Sequence, residues 1–406
     1  MEQISARAVI ELSDDNAKFI LGYCNHGKPV VLYTETLPCA GISNGKIVDA
    51  KAVAKTIAQF RESQSAVQGL DIQADTVSIV VPSCGLQVYS NTETIGVADR
   101  NDRIANSDII NVVSAASKCS IPNENVLVDA IPEFFAIDRG MKYENPPVNQ
   151  ISKMITVKVK YHTLPEKYYI SYKTTVEDAG FRIYRVMVST YCAAEMIKSE
   201  KGLTLPQNYF YVDYGGSMTT VSIVGGDSPF DSRFFNNGGD DLARKLSDSF
   251  GISIQNAKVI LAEYGYDQRP HKYRRPIVSV EGNGATKKFY QEDLNAFLAN
   301  YYRGFDQFLA NTISTLVDIQ GESKRAAFES FPIVFSGGAS SLHGLKDLLP
   351  LSIGKRSVYF YVPTAIGARD PSLVNVLGCL VAQGTYKGSL QENNRGVSTL
   401  VREDNQ

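Results

Sequence analysis

This chain opens twice in the same way. Apolar alternation from Ala8 to Leu12, a polar turn Ser13-Asp14-Asp15-Asn16, a second alternating run from Phe19 to Tyr23 and a third strand around Val30 to Thr34 make a hairpin-led start. From Tyr209 the pattern returns as a strand to Val212, a polar turn from Asp213 to Ser217, a strand from Thr219 to Val224, a Gly225-Gly226 turn and a strand from Asp231 to Phe235. Two halves that start alike imply an α/β fold of duplicated lobes.

Glycine turns mark the second lobe. A triphosphate needs several backbone N–H groups aimed into one concavity, and only residues without a Cβ conflict let the chain curl that tightly. Asp213-Tyr214-Gly215-Gly216-Ser217-Met218-Thr219 supplies such a turn, with Asp213 placed to reach a nucleotide-bound Mg²⁺ through water. Taken alone, the motif is more often a plain hairpin. Ile333-Val334-Phe335-Ser336-Gly337-Gly338-Ala339 adds a strand running into a second Gly-Gly turn, at the sheet end where open α/β folds bind ligands. Gly238-Gly239-Asp240-Asp241 opens a helix whose N-terminal dipole suits phosphate and ordinary acidic capping equally. No Ser/His/Asp or Cys/His constellation can be assembled, so no catalytic residue is expected.

Between the lobes the texture changes. The helix begun by Asp49 runs through Val53, Ile57 and Phe60, and Val77 to Val81 suits a strand buried on both faces. From about 83 to 163, strand pieces (Leu86 to Ser90, Val126 to Ala130, Met154 to Tyr161) surround one helix, Ser107 to Lys118, capped by Ser107 and Asp108. A helix from Thr174 to Ala179 returns the α/β rhythm, and a long helix runs from Gln291 toward Val317.

Composition narrows the partners. With 41 basic and 43 acidic residues the formal charge is -2, which draws neither nucleic acid nor an anionic membrane. Six cysteines and four histidines are scattered without zinc or disulfide spacing. The first twenty residues do not read as a signal peptide and no window reaches the ~18 apolar residues that cross a bilayer, so a cytoplasmic protein is expected.

The duplicated openings with the 213 to 219 and 333 to 339 turns resemble the actin, hexokinase and Hsp70 superfamily. Gly45-Lys46-Ile47-Val48-Asp49, and Ile131-Pro132-Glu133-Phe134-Phe135-Ala136-Ile137-Asp138 with the insert around it, narrow the resemblance to the bacterial cell-division family FtsA. That resemblance implies subdomain 1A at 1–82 and 164–205, a 1C insert at 83–163, subdomain 2A at 206–256 and 330–387, subdomain 2B at 257–329 and a disordered tail at 388–406. It implies an ATP-binding protein that polymerises and holds the C-terminal peptide of FtsZ in subdomain 2B. The residues facing ATP with Mg would be Asp14, Asp15, Asn16, Asp213, Gly215, Gly216, Ser217, Gly238, Gly239, Lys258, Gly337, Gly338 and Ala339, with Asp213 toward the metal.

Three departures qualify this. The family's first phosphate loop reads acid-x-Gly-Thr, whereas Ser13-Asp14-Asp15-Asn16 has no glycine, and two carboxylates near a triphosphate repel it unless a cation intervenes. Lys258 and Leu261 stand where relatives place Glu and Lys near the ribose, and Tyr214 and Ser217 replace a small apolar residue and a third glycine. The end, Gly396 to Gln406, lacks the family's basic amphipathic helix, so membrane attachment is expected only through partners. At most a weak ATPase follows, or a pseudo-ATPase. The alternatives are a PilM-like scaffold binding a membrane protein's tail and, less favoured, a small-molecule kinase with Asp14, Asp15 or Asp213 as base. The basic loop Arg269 to Arg275 is a solvated loop or a contact for acidic peptide residues.

Overall fold

The computed structural model describes residues 6–66, 74–118, 120–138, 140–200, 205–226, 228–269, 275–282, 285–349 and 356–384. The expected tail at 388–406, and 270–274 of the basic loop, lie outside the described residues.

The first opening forms a five-stranded sheet. Arg7–Leu12 pairs antiparallel with Asn16–Asn25, which pairs with Lys28–Pro38, while Thr76–Val81 and Arg182–Val188 join parallel on the other side. Thr76–Val81 lies between two neighbours, and its residues from Val77 onward are buried on both faces. The second opening repeats this plan. Val358–Phe360, Ile333–Ser336 and Tyr209–Tyr214 run parallel, followed by antiparallel Thr219–Gly225 and Ser228–Phe235. The α/β fold of two duplicated lobes is therefore present.

The insert departs from the first lobe's chain but extends the second lobe's sheet. Gln87–Gly96 meets Ser228–Phe235 at the pair Asp231 and Gln87, and Met154–Pro165 and Asn125–Ile137 follow. Helix Asn106–Ala116 covers it, packing Ile109, Val112 and Val113 with Val157, Val159 and Tyr161. Its N-cap is Ala105, not Ser107. Asp108 instead accepts the N–H of Ala105 at 2.9 Å and of Ala98 at 3.2 Å, the reach-back of an acid at the third helical position.

The helix expected at 174–179 is longer, spanning Glu166–Asp178. Tyr168, Tyr172 and Val176 bury one stripe at four-residue spacing. That stretch is rich in strand-forming aromatics, which hides the helical period. In the second lobe, Gln291–Ile319 buries Leu294, Leu298, Phe305 and Leu309, whereas Phe308 is 50% exposed.

Where the lobes meet, helix Ser189–Ser199 packs against Val374–Gln383. A Cβ at Gly378 would collide with the Cys192 carbonyl and lie 3.1 Å from Met196 Cβ, so this helix pair depends on that glycine. Gly304, on the exposed side of Gln291–Ile319, has nothing within 4 Å of an added Cβ. Gly378→Ala is therefore expected to cost about 1–3 kcal/mol of stability, while Gly304→Ala should gain about 0.5–1 kcal/mol from helix propensity. Urea unfolding of both variants checks this, and the same sign for both would refute close helix packing at Gly378.

Candidate functional site

The floor of the interlobe cleft is a charge cluster drawn from both lobes. Glu11, next to last in Arg7–Leu12, and Asp213, next to last in Tyr209–Tyr214, are carried to the same place by the duplicated strands. Asn375 Nδ2 donates to Glu11 Oε1 at 2.7 Å and to Asp213 Oδ2 at 3.1 Å. Lys18 Nζ reaches Glu11 Oε2 at 3.0 Å and the Ser372 carbonyl at 2.6 Å. Burial and then the Glu11 charge push the Asp213 carboxyl upward, opposed by Asn375 and Lys18. Glu11, Lys18 and Asn375 were not among the expected site residues. For Glu11 and Lys18 the signal was a charge interrupting an apolar run, Glu11 in Ala8 to Leu12 and Lys18 in Ala17 to Leu21. A charge in a half-buried strand needs a partner.

The glycine turns form the walls and hold one another. Gly337 has φ 90°, and a Cβ there would lie 2.5 Å from Asp213 Oδ1, so only glycine suits the position. Gly215 N–H is bonded to the Met218 carbonyl at 3.0 Å, Gly239 N–H to the Gly215 carbonyl at 3.0 Å and Asp240 N–H to the Gly216 carbonyl at 2.8 Å. Two donors at the start of helix Gly239–Phe250 are thus spent on the turn rather than left for a phosphate. Gly238 packs on Gly216, Ala339 lies beside Gly239, and Gly338 faces Ser372.

The rim carries the expected carboxylates. Ser13 N–H and Oγ both donate to the Asn16 carbonyl at 2.9 Å, closing a tight hairpin with Asp14 and Asp15 at its tip. Asp14 accepts the N–H of Asn44 at 2.5 Å and of Gly45 at 2.8 Å, which fixes a turn whose φ values are 51° and 68°. Asp15 crosses the cleft to Asp240. This hydrogen bond, then burial, lifts the Asp15 carboxyl to about 7. Burial alone would raise Asp240, but its bond with Asp15 and the Lys258 ammonium, 2.5 Å away, hold it below the ordinary value.

Asp14, Asp15 and Ser217 line both an outer cavity of about 410 Å³ and an inner one of about 130 Å³, and so stand between them. Lys258 and Arg244 face the outer space, while Lys18, Asp213, Gly338 and Asn375 face the inner. The cleft therefore brings together Asp14, Asp15, Asn16, Asp213, Gly215, Gly216, Ser217, Gly337 and Gly338 around the inner space, with Lys258 outside. A polyphosphate without a cation of its own does not fit this arrangement. Its approach to the glycine turn passes Asp14, Asp15 and Asp240, and the nearest cations are committed, Lys18 to Glu11 and Lys258 to Asp240. Among the described residues no three acids, histidines or cysteines are grouped to hold a metal ion.

Residues 210–378 match the family model for cell division protein FtsA, and residues 85–163 match that for the SHS2 domain inserted in FtsA. The chain is 24% identical over 372 residues to cell division protein FtsA of Enterococcus faecalis, covering 91% of this chain and 81% of that protein. It is 22% identical over 378 residues to FtsA of Bacillus subtilis, covering 91% and 82%. Among solved structures it is similar to a PilM-PilN type IV pilus biogenesis complex, with TM-score 0.57, 13% identity and coverage of 94% of this chain and 100% of that one. It is also similar to MreB 5 of Spiroplasma citri bound to AMPPNP, with TM-score 0.55, 13% identity and coverage of 95% and 99%. At such identities the structural likeness carries the fold alone, which is actin-like.

The cluster at the cleft floor sets a testable energetic expectation. Lys18→Met leaves Glu11 and Asp213 together without a cation and should destabilise the chain by about 3–5 kcal/mol. Adding Glu11→Gln removes one of the two charges and should restore much of that loss. Denaturant unfolding of the single and double variants measures the coupling; strictly additive losses would sink the idea.

Proposed function

This chain is a divergent FtsA-like protein, and from that premise we propose that it acts at the division site as a cytoplasmic adaptor. It assembles with copies of itself and links FtsZ, through the C-terminal peptide of FtsZ, to the rest of the division machinery. The observation that carries this reading is the insert. It matches the SHS2 domain inserted in FtsA, and its strands continue the second lobe's sheet, so it is built into the body rather than tethered to it.

The 257–329 region is the proposed peptide-binding unit, subdomain 2B. Hairpin Val278–Gly282 with Ala285–Phe289 and helix Gln291–Ile319 give it a framework anchored in the second lobe by Phe289 stacked on Phe250, ring centroids 4.0 Å apart. Among the described residues no helix is long and apolar enough to cross a membrane, and attachment through partners is part of the proposal. The adaptor role needs no hydrolysis. Any ATP with Mg²⁺, Asp213 facing the metal through water, has first to displace the Asp15 contact with Asp240.

For the kinase alternative, each expected base is already engaged, Asp14 by two backbone N–H groups, Asp15 by Asp240 and Asp213 by Asn375, and no feature of the cleft favours an acceptor hydroxyl over these partners. The PilM-type alternative rests on fold alone. Sedimentation of the full chain, together with fluorescence anisotropy of a labelled FtsZ C-terminal peptide, tests the adaptor reading. Concentration-dependent pelleting and saturable peptide binding are expected, and the absence of both would overturn it.

A further inference from the structure

We propose that Asp15 occupies the place that a nucleotide's phosphates would take, and that its contact with Asp240 clasps the two lobes together without any ligand. The inference rests on the cleft geometry and not on the identity of a partner. Asp15 stands at the tip of the first-lobe hairpin, and Asp240 in the first turn of the second-lobe helix Gly239–Phe250. Both carboxylates lie over the backbone of Gly216, where an added Cβ would be 2.5 Å from Asp15 Oδ2 and 3.0 Å from Asp240 Oδ2. This is the glycine turn against which phosphates would be cradled. An anion is already there, and it belongs to the chain.

The charges nearest the pair come from both lobes, and Asp241 lines the same cavity. Asp15 faces Asp240, Lys258 and Asp14, while Asp240 faces Asp15, Lys258 and Arg244. The Asp14 carboxylate is held by two N–H donors from the 44–45 turn, so its direction is fixed and it keeps its distance. Lys258 is the cation in direct contact, at 2.5 Å from Asp240. One ammonium and one shared proton hold two carboxylates together; without that proton they repel.

Closure therefore takes up a proton. In the clasped state Asp15 titrates at about 7, against 3.8 for the unperturbed group. Between those values the clasped state binds more protons than an opened one, so closure weakens as pH rises through that window and levels off above about 7. A polyphosphate and the clasp are mutually exclusive, since they claim the same face of Gly216.

The experiment uses the full chain and two substitutions. Asp15→Asn keeps a neutral donor in place of the proton, and Asp15→Gly empties the position. Amide hydrogen exchange of segments 13–16 and 238–241 reads closure from pH 5 to pH 8, and calorimetric titration with MgATP reads occupancy. For the unaltered chain, protection should be independent of MgATP and fall as pH rises, by about tenfold or more across the window. Asp15→Asn should hold its protection flat with pH. Asp15→Gly should exchange faster and bind MgATP at least about tenfold more tightly than the unaltered chain. If Asp15→Gly does not fold, as judged by circular dichroism, the pH profile of Asp15→Asn against the unaltered chain decides alone. MgATP-dependent protection of the unaltered chain, or a pH profile that Asp15→Asn leaves unchanged, would overturn the clasp.

Discussion

Two acids forced to the same point dominate this molecule. Glu11 and Asp213 occupy equivalent places in the two duplicated strand starts, and the fold that stacks the lobes face to face brings them together. Neither can leave without moving a strand. The chain meets the problem with one cation and one amide: Lys18 for Glu11, and Asn375 donating to both carboxylates. Lys18 also bonds the Ser372 carbonyl ahead of helix Val374–Gln383, so neutralising the pair fixes the seat of a central helix as well. A buried ion pair of this kind adds little net stability, but removing one partner is costly, which ties both lobes to one arrangement.

Around that cluster buried hydroxyls also join the lobes. Ser83 and Ser189 are bonded at 3.1 Å within the first lobe, and Thr190 reaches Ser222 of the second lobe at 2.8 Å, which in turn reaches Ser232 at 2.7 Å. All are buried. Small polar side chains let backbones approach closely while satisfying one another, whereas larger groups would wedge the lobes apart. At the rim, by contrast, Asp15 and Lys258 are exposed and Asp240 is half-buried.

The duplicated lobes were legible in the sequence because each strand start carries its own two-residue period and its own turn. The insert was legible as a change of texture and by its Ile131 to Asp138 segment. Its place in the second lobe's sheet was not, because one bridging pair, Asp231 and Gln87, makes the join, and no local pattern encodes it. Helix Glu166–Asp178 was half missed because Tyr168, Tyr169 and Tyr172 suit strands as well as helices. In the cleft, Asp14 and Asp15 were legible as a polar turn at the tip of the first hairpin. Their partners, the N–H groups of Asn44 and Gly45 and the Asp240 carboxylate, come from distant segments that only the folded chain brings near. Glu11 and Lys18 left a local trace, charges in apolar strands on either side of the turn.

The retained glycines say less about nucleotide than their motifs suggest. Gly238 rests against the Gly216 carbonyl, Gly337 against Asp213 and Tyr214, and Gly216 beneath two carboxylates, so a side chain at any of them would meet protein before it met a ligand. The hydrogen bonds from Gly239 and Asp240 bind the same turn to its helix. A chain could therefore lose its phosphate-binding loop and still be obliged to keep every one of these glycines, because the turns are needed to let the lobes meet around Glu11 and Asp213. The hairpin tip is different. Asp14 and Asp15 are held by their side chains, Asp14 on the N–H groups of Asn44 and Gly45 and Asp15 on Asp240. In this cleft glycine reports on the packing of the lobes, whereas the 13–16 turn is set by the side-chain contacts of Asp14 and Asp15 with distant segments.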